Sequence, residues 1–546
     1  MADVLTITQR SYNMSRIKSG NTAPELRLQE LLVSEGFGNF ETHPKSVPGR
    51  PDFYFSNHKS AIFVDGCFWH ACKDCYKAPQ TNEEFWKMKI GTNVQRDETV
   101  NKKLNDLGIA VIRVKEHELK KDAALVMQNI GKELSKRVQP RVLDLFAGAG
   151  GLSEGFIRAG CEMVGHIEME KNSCSTLLTR MIYHALRKKG ELEDYKKYIT
   201  GRITREKLIE KYGLQKERDS VICAAIGKDN YGDLIEQVRT RLNGKSLDII
   251  VGGPPCQAYS YIGRARDIKK MRTDERNFLY KYYIEFLKAL KPKIFVFENV
   301  PGLLSAGEGR YLLHMRQLML SAGYATDYRI LNAADYGVPQ NRKRVILVGW
   351  RKDSNLKSYP EFPVVNREYK VKDFFSDLPK IKSGGGKPIK KFSRKNKLLQ
   401  DLGIRNPDFE FLMDHITRPH TDRDLEIYHL AVLAKQKGEN IKYNTLPERL
   451  KTHNNEISFL DRFKVVDADA PGSHTVVAHI AKDGHFYIHP DLKQNRSLSV
   501  REAARLQTFP DDYKFEGERG PQLKQIGNAV PPILSEIIAK ELIKHL

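Results

Sequence analysis

Cysteine is scarce in this chain, seven among 546 residues, which excludes a disulfide-stapled scaffold and fits a reducing compartment. Tryptophan is scarcer, three in all, with Trp69 and Trp86 both near the start. No apolar run approaches the roughly 18–20 residues that a membrane helix needs, so no membrane partner is expected. The opening MADVLTITQR has no apolar stretch behind a basic start and does not read as a signal peptide. Acid is in short supply: 68 Asp and Glu face 90 Lys and Arg, a formal charge of +22. That excess favours a polyanion as partner, nucleic acid first; a basic surface kept for solubility is the plain alternative. A hydrophobic share of 40% with 29% charged residues excludes a wholly disordered chain. Single cores rarely grow past about 250–300 residues, so two or three domains are expected.

Composition changes near residues 120–140. There LKKDAALVMQNIGKELSKRVQP is Lys-rich and helix-permissive and reads as a linker helix over 121–140, closing a first domain at 1–120. Downstream, VLDLF, MVGHIE, LDIIVGG and IFVFENV alternate with helical stretches, which predicts an α/β domain with a mostly parallel sheet. The charged stretch from Asn172 to Gly244 is expected to carry an inserted helical element. KIKSGGGKPIKKFSRKNK, Lys380 to Lys397, reads as a mobile basic loop. There is no internal repeat.

Four features of the downstream region carry chemistry. Asp144, Leu145, Phe146, Ala147, Gly148, Ala149, Gly150 and Gly151 follow a strand and open a helix. Such a turn lets backbone N–H groups approach a ligand, and Glu168, ending the next strand, is placed to bind ribose hydroxyls. A tight structural turn or a dinucleotide site accounts for the glycines about as well. GGPPCQ sets Cys256 after a strand in a loop stiffened by Pro254 and Pro255, as a nucleophile or as a buried structural thiol. IFVFENV ends in Glu298 and Asn299 at a strand's C-terminal edge; Glu298 is either a proton donor in a desolvated crevice or a capping acid. QNRKRVILVG offers Gln340, Arg342 and Arg344 at alternate positions, hence on one face of an extended segment.

In order and spacing, DLFAGAGG, GGPPCQ, ENV, QNRKR and QIGNAVPP resemble the cytosine-C5 DNA methyltransferase family, from about Arg141 to Leu546. The resemblance implies a Rossmann-like domain using S-adenosylmethionine. Cys256 would attack C6 of a cytosine flipped out of the duplex, Glu298 would hold and protonate N3, Arg344 would bind O2, and Arg342 would support the covalent adduct. Phe146 and Met169 would flank the adenine of the cofactor, Glu168 would bind its ribose, and Asn528 with Val530 would close the far side. Asp144, Ala147, Gly148, Gly150, Gly151 and Pro254 complete the implied cofactor site. Two departures stand out: Met169 replaces a frequent aromatic, and the acid that reads the adenine amine has no evident place in the charged stretch Ser220 to Asp233. The catalytic domain is expected over 141–350 and 497–546. A smaller target-recognition domain is expected over 351–496, where Lys, Arg, His and Asn suit phosphate and base-edge contacts.

In the first domain the densest signal is FVDGCFWHACKDCYKAP. Cys67, Cys72 and Cys75, with His117 at the end of the strand-like run VIRVKEH, would complete a tetrahedral zinc site; free thiols beside a solvated imidazole are the alternative. VPGRPDF puts Asp52 at the start of a strand, and Val64 and Asp65 lie on the next, so two acids on adjacent strands could hold magnesium. Phe68, Trp69 and Trp86 form an aromatic trio among Lys and Arg, either a wedge between base steps or ordinary core. Together RSYNMSRIKSGNTAPELRL, VPGRPDF, GCFWH and EFWKMKIGTNVQRD resemble the very-short-patch-repair (Vsr) endonucleases over about Gln9 to Leu119.

That second resemblance implies a restriction-endonuclease-like α/β fold that nicks 5′ to the T of a T:G mismatch. Asp52 and the Val64 carbonyl would be magnesium ligands, His70 the general base and Glu25 an accessory acid. Cys67, Cys72, Cys75 and His117 would hold structural zinc, and Phe68, Trp69 and Trp86 would intercalate. The chain departs at Asp65, where members carry His, and in the spacing of Cys72 and Cys75; Asp65 would add a metal ligand or change what is cut. The expectation is a bifunctional prokaryotic DNA enzyme, monomeric, cytoplasmic and nucleoid-associated, with double-stranded DNA and mismatch-repair proteins as partners. Three alternatives stay open: a one-chain restriction–modification protein, a methyltransferase with an inert DNA-binding nuclease fold, and an RNA methyltransferase.

Overall fold

The computed structural model describes residues 20–38, 40–55, 58–79, 82–107, 109–135, 139–254, 278–365, 368–392 and 394–546. The chain divides into two compact units, Met1–Gln139 and Pro140–Leu546.

The first unit opens with α1 (Ala23–Ser34) and is built on a sheet ordered β1 (Glu41–Thr42), β2 (Phe53–Phe55), β3 (Ser60–Asp65) and β4 (Ala110–Lys115). The β1–β2 and β2–β3 pairs are antiparallel; β3 and β4 are parallel, joined across the long helix α2 (Glu83–Asp106). Phe53, Phe55 and Ile62 alternate inward along their strands and meet Leu28 and Leu32 of α1. The stretch expected to be a linker belongs to this core. It forms α3 (Glu116–Lys121) and α4 (Ala123–Ser135), and Leu119, Met127, Ile130 and Leu134 are buried in the same cluster. Met127, Ile130 and Leu134 recur at helical spacing on one side, so the lysines that suggested a linker decorate an amphipathic helix. His117 consequently lies in the first turn of α3, past the end of β4.

The second unit carries a seven-stranded sheet formed by β5 (Arg141–Leu145), β6 (Glu162–Glu168), β7 (Val221–Cys223), β8 (Ile249–Gly252), β9 (Ile294–Asn299), β10 (Tyr324–Asn332) and β12 (Lys343–Arg351). The spatial order is β10-β12-β9-β8-β5-β6-β7. β5 to β9 are mutually parallel, and β12 is antiparallel to both β9 and β10. The central strands are apolar on both faces, as a sheet covered on two sides requires. Val142, Ile249, Val251, Ile294 and Val296 feed one core; Leu143, Leu145, Ile250, Phe295 and Phe297 feed the other. The chain steps from β5 outward to β6 and β7, then returns to β8 on the other side of β5. The C-terminal ends of β5 and β8 therefore form a switch point, where open α/β sheets bind ligands.

Helices follow in the order α5 (Gly151–Arg158), α6 (Lys171–Lys189), α7 (Leu192–Ile199), α8 (Arg205–Tyr212), α9 (Gln215–Asp219) and α10 (Tyr231–Leu242). The helical insertion expected after Asn172 is α7 to α9; Tyr195, Ile199 and Leu208, with Leu214 between α8 and α9, pack with α6 and with Phe409 and Met413. β7 was not anticipated, because three residues are too few to show a period. The presumed basic loop is also more ordered than its composition implies. Gly386–Lys391 is β13, paired antiparallel with β14 (Phe411–Ile416). Its partner lies far along the chain, so local composition conceals the ladder. β11 (Gln340–Asn341) pairs with β15 (Ser473–His474) outside the main sheet. The chain ends with α11 (Val500–Leu506), α12 (Arg519–Asn528) and α13 (Pro532–Ile543), the last bringing Ile533, Leu534, Ile538 and Leu542 onto the β5 side of the core. Among the described residues no helix is long and apolar enough to cross a membrane.

Candidate active sites

At the end of β5 the chain turns sharply. Phe146, Gly148 and Gly150 all take left-handed backbone conformations, with φ of 60°, 55° and 81°. For Phe146 this is a strained state of the kind held at functional sites. A Cβ on Gly151 would meet the Val530 carbonyl at 2.2 Å, so the turn is pressed against the segment leading into α13 and only glycine fits. A Cβ on Gly148 would meet nothing within 4 Å, so the turn is open on that side. The Glu168 carboxylate accepts the N–H of Gly148 at 2.7 Å, of Met169 at 2.9 Å and of Glu170 at 2.8 Å, which fixes it beside the turn. Met169 is 59% exposed. Asp144 is fully buried and accepts the Ser153 hydroxyl, and burial pushes its carboxyl up to about 7. It supports the turn from beneath. Val530 is buried and Asn528, at the end of α12, is exposed. The open turn, the fixed acid and the exposed thioether suit a ribose bearing an adenine. β7 ends in Cys223, followed by Ala224 and Ala225, and the first acid after it is Asp229, six residues past the strand end.

Beside this turn, β9 delivers Glu298 and β12 delivers Arg344, whose Nε lies 2.7 Å from Glu298 Oε1. Both side chains are about 12–13% exposed, and a Cβ on Gly253 would meet Glu298 Oε2 at 2.6 Å. The carboxylate thus rests against the backbone that leads from β8 towards Cys256. Cys256 itself lies outside the described residues, whereas Pro254 is described and its carbonyl accepts the Asn299 side-chain amide at 3.4 Å. Gln340, Arg342 and Arg344 do alternate inward, but they do different work. Gln340 is fully buried and donates to the Leu506 carbonyl and the Gln507 side chain. Arg342 is fully buried and donates to the carbonyls of Val476 at 2.7 Å and Gly527 at 3.2 Å. Burial, with Arg344 nearby, holds its guanidinium well below the usual arginine range. Arg342 therefore ties distant segments together behind the site, while Arg344 reaches the carboxylate.

In the first unit, Asp52 immediately precedes β2 and accepts the Val64 N–H at 2.6 Å. Burial, then the nearby Glu25, pushes its carboxyl up to about 6 against that hydrogen bond. Glu25 is buried at the start of α1, accepting the Thr22 hydroxyl and the Asn21 N–H at 2.8 Å each. Donor atoms of Glu25, His43 and Asp52 all lie within 4.8 Å of one another, a set able to hold a divalent cation. Asp65 is not in that set. Both of its carboxylate oxygens accept from Arg113 Nη1, at 2.8 and 3.0 Å, so the acid is committed to an ion pair. His70 lies 3.7 Å from Asp65 and places Nδ1 2.6 Å from Asp97, an oriented imidazole whose partner the sequence reading missed. Arg113, 3.2 Å from Asp97, was missed too. The signal was the Asp of VQRD four residues from Asn93, whose amide holds the Trp69 carbonyl at 3.2 Å.

Cys67, Cys72, Cys75 and His117 bring their donors within 4.8 Å of one another, with Cys67 and Cys72 Sγ at 3.3 and 3.5 Å from His117 Nδ1. Three thiols and an imidazole so arranged fit tetrahedral zinc. Phe68, Trp69 and Trp86 form one cluster with centroid separations of 5.2, 5.3 and 6.0 Å. The neighbouring Phe85 and Met88 are 53% and 71% exposed, so this apolar cluster opens to solvent.

Two family models match the sequence. One, described as C-5 cytosine-specific DNA methylase, matches residues 140–201 and 214–544. The other, described as DNA mismatch endonuclease Vsr, matches residues 2–77, and so includes the three clustered cysteines but neither Trp86 nor His117. The chain is similar to the type II methyltransferase M.Bpa9945I of Bacillus paralicheniformis, 42% identical over 438 residues that cover 73% of this chain and 97% of the relative. It is similar also to the type II methyltransferase M.XorII of Xanthomonas oryzae pv. oryzae, 31% identical over 434 residues, 75% of this chain and 85% of the relative. A solved Entamoeba histolytica methyltransferase, EhMeth, aligns over 74% of this chain and 98% of its own at 13% identity and a TM-score of 0.43.

Proposed function

The chain belongs to the C-5 cytosine-specific DNA methylase family, and on that premise we propose that it methylates cytosine at C5 in a short DNA target and nicks DNA 5′ to the T of T:G mismatches. The observation that carries the first half is the Glu298–Arg344 pair, 2.7 Å apart and seated on Gly253 at the switch point of the sheet. S-adenosylmethionine supplies the methyl group when bound. Phe146 and Met169 pack against its adenine, Glu168 accepts its ribose hydroxyls, and Asn528 with Val530 closes the pocket. The Cys256 thiolate adds to C6 of a flipped cytosine while Glu298 gives a proton to N3, so that C5 gains carbanion character. Arg344 holds O2 and keeps Glu298 in place, and Arg342 positions that strand. Once C5 carries the methyl group, loss of its proton to solvent expels Cys256 as the thiolate, and N3 returns its proton to Glu298, which restores the ring.

The second half rests on the Vsr match and on the paired His70 and Asp97 beside the Asp52 cluster. A divalent cation held by Asp52 and the Val64 carbonyl would offset charge on the scissile phosphate. His70, oriented by Asp97, takes the proton of the attacking water, with Glu25 in support. Cys67, Cys72, Cys75 and His117 hold zinc, and Phe68, Trp69 and Trp86 wedge into the base stack. One observation favours a second reading, cleavage of unmethylated paired sites in the manner of a restriction enzyme. Asp65, where the best-known Vsr members carry His, is engaged here by Arg113, and this would alter the charge facing the phosphate. Methyl incorporation and strand nicking measured on the same protein test the pair. Cys256→Ser is expected to lose methylation only, and Asp52→Asn nicking only; loss of both activities in either variant contradicts two separate sites.

A further inference from the structure

The cluster of Glu25, His43 and Asp52 contains a residue that neither reaction, as set out above, employs. β1 and β2 pair antiparallel with Thr42 opposite Phe53, so His43 and Asp52 are the next facing pair, and the His43 N–H reaches the Asp52 carbonyl at 3.4 Å. The ladder thus presents the imidazole to the acid across the hairpin, and α1 brings Glu25 from a third direction. His43 Nδ1 lies 3.6 Å from Asp52 Oδ1, and Nε2 lies 3.4 Å from Glu25 Oε2. Asp52 gives its Oδ2 to the Val64 N–H, which leaves Oδ1 facing the ring. The three donors lie within 4.8 Å of one another. Neighbouring ligands on bonds of about 2.1 Å stand roughly 3 Å apart and opposite ones roughly 4.2 Å, so a small contraction about a cation would complete the site.

We propose that His43 is a protein ligand of the divalent cation held by Asp52 and the Val64 carbonyl, adding an imidazole, and with it the neighbouring Glu25 carboxylate, to that donor set, so that the site binds Mn2+ in preference to Mg2+. The inference rests on the reading of Asp52 as a cation-holding residue. Mg2+ is hard, keeps its water and is served by oxygen. An imidazole nitrogen shifts selectivity along the first transition row, where affinity for nitrogen donors exceeds that of Mg2+. The donor set therefore argues against a site built for Mg2+ alone, although the same two acids without His43 would suit it.

The test is a Mn2+ titration of the full, zinc-replete chain without DNA, following loss of the free Mn2+ electron paramagnetic resonance signal and then its return on adding Mg2+. The expected result is one tight Mn2+ per chain, displaced only by a large excess of Mg2+ and absent in Asp52→Asn. His43→Gln should weaken Mn2+ binding by about tenfold or more and narrow the Mn2+ over Mg2+ preference. Electron spin echo modulation of the unsubstituted protein gives an independent readout that needs no folded variant: an imidazole 14N coupling to the bound Mn2+, replaced by a 15N pattern on histidine labelling and missing in His43→Gln. Mn2+ that is lost in Asp52→Asn but shows no nitrogen coupling and no change in His43→Gln overturns the role of His43 while leaving Asp52 as a ligand. Binding that is equally absent in the unsubstituted chain and Asp52→Asn overturns the cation site itself.

Discussion

Glu298 rests against Gly253 with Arg344 Nε 2.7 Å away, a fixed position such as the proposed proton donor requires. Replacing it tests this directly. Glu298→Gln keeps the shape but removes the acid, and methyl transfer is expected to fall by about 10²–10⁴-fold with little change in S-adenosylmethionine affinity, read by single-turnover transfer and by cofactor titration. Equal loss of cofactor binding would place Glu298 in the wrong pocket. The glycine turn is tested differently. Gly151→Ala drives a Cβ into the Val530 carbonyl, so the second unit should lose about 1–3 kcal/mol in denaturant unfolding, whereas Gly148→Ala meets no atom and should cost only the about 1–2 kcal/mol of holding an alanine in the left-handed region. At this scale the sequence was informative wherever chemistry dictates a residue type. Glu298 lies beside Arg344 in the second unit, and within the first unit Cys67, Cys72, Cys75 and His117 converge. Asp97, Arg113 and His43 were not legible, because each acquires its role only from strands and helices that meet after folding. Arg342 was legible as a position but not as a tie between segments, since its acceptors lie far along the chain at Val476 and Gly527.

The informative element is α4. If Ala123–Ser135 were a tether, trimming its apolar side chains would leave the first unit unaffected. Ile130 and Leu134 are instead at most 1% exposed within the core that holds α1 and β2. Ile130→Ala and Leu134→Ala should each destabilise the first unit by about 2–5 kcal/mol, and a fragment ending at residue 120 should fail to fold cooperatively, both read by circular dichroism in denaturant. Unchanged midpoints would restore the linker. In the sequence the lysines mask the helical spacing of Met127, Ile130 and Leu134, which is the signal of a packed helix. The strands of the main sheet were legible for the opposite reason: runs such as IFVFEN are buried on both faces and have no other explanation. β7 and β13 were hidden, the first by its length and the second by a distant partner.

Across the second unit, His166, His420, His474 and His489 are each pushed down to about 4 from an ordinary value of 6.5, burial being the leading cause. In the unfolded chain these imidazoles take up protons as the pH falls through about 6.5, while in the fold they resist until about 4. The stability they confer is therefore complete above about pH 6.5 and is lost progressively as the pH drops to about 4, by up to about 3 kcal/mol for each. Asp144, raised to about 7, works the other way and offsets roughly one of these histidines as the pH falls, so with domains holding only about 5–15 kcal/mol in all the second unit should still be destabilised in mild acid. Urea midpoints that fall steadily from pH 7 to 5 bear this out; flat midpoints over that range contradict it. The order of motifs made the two family matches legible along the chain, but motifs do not state what the proposed nuclease cuts, and Asp65 with Arg113 bears on that choice. The most direct measurement sets purified protein and a divalent cation against end-labelled duplexes with randomised flanks around a central T:G, U:G or unmethylated C:G pair. A nick confined to T:G duplexes, 5′ to the T, within the flanks that the same protein methylates on C:G, is the predicted result; cutting of C:G duplexes, or no cutting with methylation intact, contradicts it.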